Sequence, residues 1–185
     1  MGLRRSLSMG QPGVQAAIAC SVKAEAFMNV VTYFTHPDQY TTSINTLDKL
    51  RSGSHHPAVM GDGIQESVHD WPSIFTGFTW VINRSTPRHR DTSGFRQGYD
   101  YLTVNGTATA DLELSDLGLR LSYKARDVVA FTGWILAHAV SQWQNQDRVC
   151  SVRWIRQSVV DEVLGIKDLQ YPDVQDVAER LGVTM

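Results

Sequence analysis

The stretch YDYLTVNGTATADLELSDLGLRLSYKARDVVAFTGWILAHAV, residues 99–140, reads as a succession of short β-rich runs bounded by turn residues. The runs are Tyr99–Val104, Ala110–Leu114, Leu119–Tyr123, Asp127–Phe131 and Ile135–Val140, and each is dense in β-branched, aromatic or leucine residues. Two more lie on either side, Phe78–Ile82 and Arg148–Ile155. About seven short strands in roughly eighty residues, with no helices alternating between them, imply a sandwich or jelly roll rather than a parallel βαβ sheet. The expected class is therefore α+β, mainly β, with a jelly-roll core and flanking helices.

The flanks read differently. Val14–Phe34 has the alanine-rich composition and apolar spacing of a helix or helical pair that backs a sheet. From His36 to Gly63 the chain is polar and punctuated by Pro37, Gly53, Pro57, Gly61 and Gly63, which predicts a surface excursion or lid carrying a short helix over Ile44–Arg51. The acidic, leucine-bearing tail predicts a helix over Asp173–Leu181. One domain is expected, with residues 1–74 packing on a core at 75–158 and a helical tail at 159–185.

Composition narrows the function classes. With 185 residues and 42% hydrophobic content the chain can bury one sizeable core. A formal net charge of −2 excludes a scaffold that coats nucleic acid through overall charge, so any basic surface must be local. Cys20 and Cys150 stand far apart without a Cys-x-x-Cys pair, giving neither a disulfide framework nor a structural zinc site, and point to a reducing, intracellular setting. The longest nearly apolar stretch, Val128–Val140, is too short and too interrupted to span a bilayer, so no membrane association is expected. The opening Met-Gly-Leu-Arg-Arg-Ser fits the loose myristoylation pattern at Gly2, with an incidental start as the plainer alternative.

Within the β-rich region stand His89-Arg90-Asp91 and, 49 residues beyond His89, His138 (138 − 89 = 49). Residues i and i+2 of an extended segment point to the same side, so His89 and Asp91 can reach one ion together, and a histidine from a later strand completes a facial triad. Two imidazoles and one carboxylate leave half of an octahedral iron(II) ion open to a keto acid and oxygen. The alternative for His138 is a satisfied core residue on an apolar strand. Arg148 weighs against that alternative: ten residues on (148 − 138 = 10), at the start of the next strand, it offers the planar fork that the far carboxylate of a keto acid needs.

These motifs, together with Trp71-Pro-Ser-Ile-Phe-Thr-Gly77, Asn83-Arg84, Thr86-Pro87, Tyr99-Asp100, Leu117-Gly-Leu119, Val128-Val129, Gly133 and Asp147-Arg148-Val149-Cys150, resemble the fungal TET/JBP-like dioxygenases, relatives of enzymes that oxidise methylated DNA bases. The resemblance runs from about His55 to Val159. It implies a double-stranded β-helix, with iron(II), 2-oxoglutarate and O2 as cofactor and co-substrates. It assigns His89, Asp91 and His138 to the metal and Arg148 to 2-oxoglutarate. It also places Arg84 near co-substrate and target base, Trp154 as the platform for a flipped base, and Arg156 at that base's edge. A base must leave the stack to be oxidised, and stacking on an aromatic ring is worth roughly 1–3 kcal/mol. An ordinary core tryptophan is the alternative for Trp154.

Seven of the seventeen lysines and arginines fall beside these motifs: Arg84, Arg88, Arg90, Arg96, Arg148, Arg153 and Arg156. They predict a positive rim for phosphate, unless several pair with Asp91, Asp100 or Asp147. Tyr123-Lys-Ala-Arg-Asp127 departs from the Pro-Gly turn of relatives, and His55-His56 reads as surface loop. The expected substrate and partner is methylated DNA, carrying 5-methylcytosine or 6-methyladenine, with no protein partner. Hydroxylation of an amino acid, peptide or small metabolite, and a non-catalytic binding module, are the competing functions. A nuclear or cytoplasmic location follows from the substrate.

Overall fold

A computed structural model describes residues 12–53, 68–143 and 147–165. Two helices come first, α1 (Pro12–Thr35) and α2 (Pro37–Arg51). Eight strands follow: β1 (Gly77–Ile82), β2 (Thr86–His89), β3 (Asp100–Gly106), β4 (Ala110–Leu114), β5 (Leu119–Tyr123), β6 (Val128–Phe131), β7 (His138–Val140) and β8 (Arg148–Trp154). A third helix, α3 (Gln157–Leu164), ends the described chain.

The strands form two antiparallel sheets, ordered β1-β8-β3-β6 and β2-β7-β4-β5. Late strands β8 and β7 insert between early ones, so the chain passes repeatedly from sheet to sheet, which is the winding of a jelly roll. Between the sheets lie Leu102, Val104, Ala110, Leu112, Leu114, Tyr123, Phe131, Val140 and Cys150. Each fully buried aliphatic side chain there contributes about 1.5–3 kcal/mol. The expected mainly β class with a jelly-roll core is what the chain adopts.

Helices cover the other face of the first sheet. Glu25, Met28 and Thr32 of α1 recur at helical spacing and are buried, and Met28 joins Phe75, Tyr101, Ile155 and Val160 in a second apolar cluster. Of the segment expected to be a surface excursion or lid, residues 36–53 are described, and there α2 extends the expected Ile44–Arg51 helix back to Pro37 and buries Gln39, Ser43, Thr46, Leu47 and Leu50. Gln39 works there as a strand partner, since its Nε2 donates to the Tyr99 carbonyl and its Oε1 accepts from the Tyr99 N–H, both at 2.9 Å.

Three boundaries differ from expectation for local reasons. Strand β2 carried no apolar alternation and contains Pro87, tolerable because β2 is an edge strand. Strand β7 begins only at His138, because Ile135 and Leu136 close a turn onto the Thr132 carbonyl. The turn after β5 forms without Pro-Gly: Arg126 takes the left-handed conformation at φ 75°, and the Asp127 carboxylate accepts the Lys124 N–H at 2.9 Å. His55-His56, the helix expected over Asp173–Leu181 and the Gly2 motif lie outside the described residues.

Candidate active site

Strands β2 and β7 pair so that His89 stands directly opposite His138. Their ring centroids are 4.2 Å apart. Each ring is held the same way, with Nδ1 against the carbonyl two residues earlier: His89 on Pro87 at 2.9 Å and His138 on Leu136 at 3.0 Å. A carbonyl can only accept, so Nδ1 carries the proton and Nε2 keeps its lone pair. Both Nε2 atoms face Asp91, at 3.4 Å from Oδ1 for His89 and 3.5 Å from Oδ2 for His138. Burial above all, with His89 beside it, lowers the pKa of His138, which favours the neutral imidazole that a metal requires.

Gly133 sets the position of the carboxylate. The Asp91 N–H donates to the Gly133 carbonyl at 2.8 Å, and the Gly133 N–H donates to Asp100 Oδ2 at 3.2 Å. Burial, then the Asp91 charge, pushes the Asp100 carboxyl up to about 7 against that hydrogen bond. A Cβ on Gly133 would fall on Asp100 Oδ2 and within 2.7 Å of Asp91 Oδ2. Gly133→Ala is therefore expected to displace Asp91 and weaken divalent-metal binding by about tenfold or more, the scale of outer-shell losses, as read by metal titration. Undiminished binding by the alanine variant would refute this.

Inside the barrel Arg148 is 1% exposed. Its guanidinium lies 4.8 Å from the centroid of Tyr123 and 5.4 Å from that of Trp143. Nε and Nη2 have no hydrogen-bond partner among the described residues. Orphaned buried donors on a cation are costly, so the arrangement is suited to an anionic guest. Asn83 fixes the strand end, donating its N–H to the Arg148 carbonyl and accepting the Arg148 N–H, both at 2.8 Å.

The triad thus comes together at β2 and β7, and Arg148 stands on β8 of the facing sheet. The Trp154 ring lies against Gly77, where a Cβ would strike it. Arg156, exposed, bridges to Gly94, whose N–H reaches the Asp91 carbonyl at 2.9 Å. Arg84 is exposed in the link from β1 to β2, next to Asn83. The seven-arginine rim is smaller than expected. Arg153 is buried against Glu25, Arg148 is buried, and Arg88 and Arg90 face Asp116 at 3.8 and 2.9 Å. Asp100, Gly133, Tyr123 and Trp143 were given no role from sequence, although the first two stand within the quoted motifs.

Residues 22–160 match the Tet/JBP family, the oxygenase domain of the 2OGFeDO superfamily. This chain belongs to that family. The family is an oxygenase domain, and its superfamily uses iron(II), 2-oxoglutarate and O2. The solved structure "NgTET1 in complex with 5mC DNA in space group P3221" is similar in fold, with a TM-score of 0.60 at 12% identity. The similarity covers 83% of this Tet/JBP chain and 55% of that one, so the chain matches about half of its neighbour's length. A Cupin 2 conserved barrel domain protein from Salinispora arenicola CNS-205 aligns over 52% of this chain and 78% of its own at 22% identity and a TM-score of 0.35. No curated protein matches the sequence. Among the described residues of this Tet/JBP domain, no helix is long and apolar enough to cross a membrane.

The residues present fit the family's cofactors. Ligand atoms of His89, Asp91 and His138 all lie within 4.8 Å of one another, and two nitrogens with one carboxylate oxygen suit iron(II). The orphaned fork of Arg148 suits the distal carboxylate of 2-oxoglutarate.

Proposed function

We propose that this dioxygenase oxidises the methyl group of a methylated DNA base, with 5-methylcytosine or 6-methyladenine as substrate. In this reading His89, Asp91 and His138 hold iron, and Arg148 grips 2-oxoglutarate from within the barrel. Held there, iron would activate O2, the oxidant, so that one oxygen atom enters succinate as 2-oxoglutarate loses CO2 and the other is inserted into a methyl C–H bond. The chain's own residues orient and insulate. The Pro87 and Leu136 carbonyls hold both imidazole Nε2 atoms toward Asp91, and Tyr123 and Trp143 wall the guanidinium off from water.

The observation that carries the cofactor half is the pairing of a His-Asp-His cluster with a buried, unsatisfied arginine in one barrel. Support for the DNA half comes from the family and from a fold neighbour solved with 5mC DNA. Trp154 would stack on the extruded base, Arg156 would read its edge, and exposed Arg84 would reach co-substrate and base.

Incubation with iron(II), 2-oxoglutarate, O2 and duplex DNA bearing both methylated bases, followed by nucleoside mass spectrometry, tests the proposal. Oxidised base is expected from the wild type and none from His89→Ala. Succinate without oxidised base would remove DNA as the substrate while leaving the dioxygenase intact.

A further inference from the structure

Asp116 belongs to none of the groups assigned above. It sits in a single 3-10 turn, Ser115–Leu117, that follows β4 on the sheet bearing both histidines. Its Oδ2 accepts the Ala137 N–H at 2.6 Å and the Arg90 Nη2–H at 2.9 Å. Arg90 reaches on, donating Nε–H to the Ile135 carbonyl at 2.8 Å. The neighbouring Ser115 N–H donates to the Ala137 carbonyl at 2.9 Å.

The residues in this network are placed tellingly. Arg90 lies between His89 and Asp91, and Ala137 immediately precedes His138. One carboxylate oxygen therefore joins the segment carrying two members of the triad to the segment carrying the third. The backbone ladder alone holds them poorly. Strand β2 is an edge strand whose register with β7 is irregular between Thr86 and His89, and β7 has three residues. Asp116 is also well placed to stay ionised: the Ala137 N–H first, then Arg90 and Arg88, lower its pKa. Exposed ion pairs add little to global stability. The consequence of this one lies in geometry, because ligand angles at a metal are set by the groups that hold the ligands.

We propose that Asp116 is a positioning residue for the metal centre, fixing the approach of β2 to β7 through Arg90 and the Ala137 N–H. The proposal rests on the reading of His89, Asp91 and His138 as metal ligands. Cobalt(II) titration, read by its ligand-field absorption, tests it alongside melting of the metal-free protein. Asp116→Ala is expected to weaken cobalt binding by about tenfold or more, the range found when outer-shell partners are removed. Asp116→Asn, which keeps an acceptor for the Ala137 N–H, is expected to lose less. Arg120→Ala serves as the comparison, since Arg120 pairs with Glu113 at 2.7 Å and Asp111 at 3.7 Å on the same sheet. It should bind cobalt as the wild type does, with the metal-free forms of both variants still folded at the titration temperature. Unchanged cobalt affinity in Asp116→Ala, or an equal loss in Arg120→Ala, would overturn the proposal. Failure of the wild type to bind cobalt, or full binding by His138→Ala, would instead overturn the ligand assignment beneath it.

Discussion

Arg148→Met is expected to bind 2-oxoglutarate about a hundredfold more weakly, yet to melt no lower than the wild type when the co-substrate is absent. The two halves of this result have one cause. A bidentate, charge-assisted contact contributes two hydrogen bonds of about 1.5–3 kcal/mol each, so its loss corresponds to roughly a hundredfold or more in affinity. The same guanidinium, 1% exposed with Nε and Nη2 lacking partners among the described residues, is a liability while the barrel holds no anion. The rings of Tyr123 and Trp143 offset part of that cost, and contacts of this kind are worth up to about 2 kcal/mol when desolvated. Methionine keeps much of the apolar stem and removes the buried charge, an exchange that is often neutral or stabilising. Anaerobic calorimetry with iron(II), and thermal melts with and without 2-oxoglutarate, would measure both halves. Wild-type affinity in the methionine variant would detach Arg148 from the co-substrate, and a melt many degrees lower without it would mean that the arginine is already satisfied in the folded chain.

Legibility in the sequence followed the physics of each element. Strands β4 and β5 were readable to the residue because they alternate apolar and polar side chains between tight turns. The triad was readable because His-x-Asp is local and His138 lies on an apolar run, although the reason for its geometry was hidden. Gly133, which orients Asp91 through its backbone, has no side chain to announce itself. Helix α2 was half missed because its buried face carries Gln39, Ser43 and Thr46, which satisfy themselves or the Tyr99 backbone and so break the apolar period. Arg153 illustrates the limit of charge counting. On β8 its neighbours Cys150 and Val152 pack toward the barrel core, while Ser151 and Arg153 face the opposite side, toward α1. Alternation along one strand sends Arg148 to the barrel and Arg153 to a helix 128 residues away in sequence.

That misread arginine yields the other large effect: Glu25→Ala is expected to cost about 3–5 kcal/mol of stability. Arg153 Nε donates to both Glu25 oxygens, at 2.8 and 3.0 Å, and Nη2 lies 2.7 Å from Oε1. Nη1 donates to Thr103 and Ser151 hydroxyls at 3.2 Å, and the guanidinium lies 5.0 Å from the Phe78 ring centroid. With side chains 2% and 3% exposed, neither member can turn to water once the other is removed. Alanine at position 25 therefore strands a buried cation, and the melting temperature should fall by roughly 6–20 °C, at about 2–4 °C per kcal/mol for a domain of this size. Replacing both members, Glu25→Leu with Arg153→Met, should recover most of that loss, because the penalty belongs to the unpaired charge and not to the absence of the pair. Urea unfolding of the two single variants and the double variant would measure the coupling. A single-variant cost below about 1 kcal/mol, the value of an exposed pair, would mean that water reaches this contact and that α1 is not fastened to β8 through it.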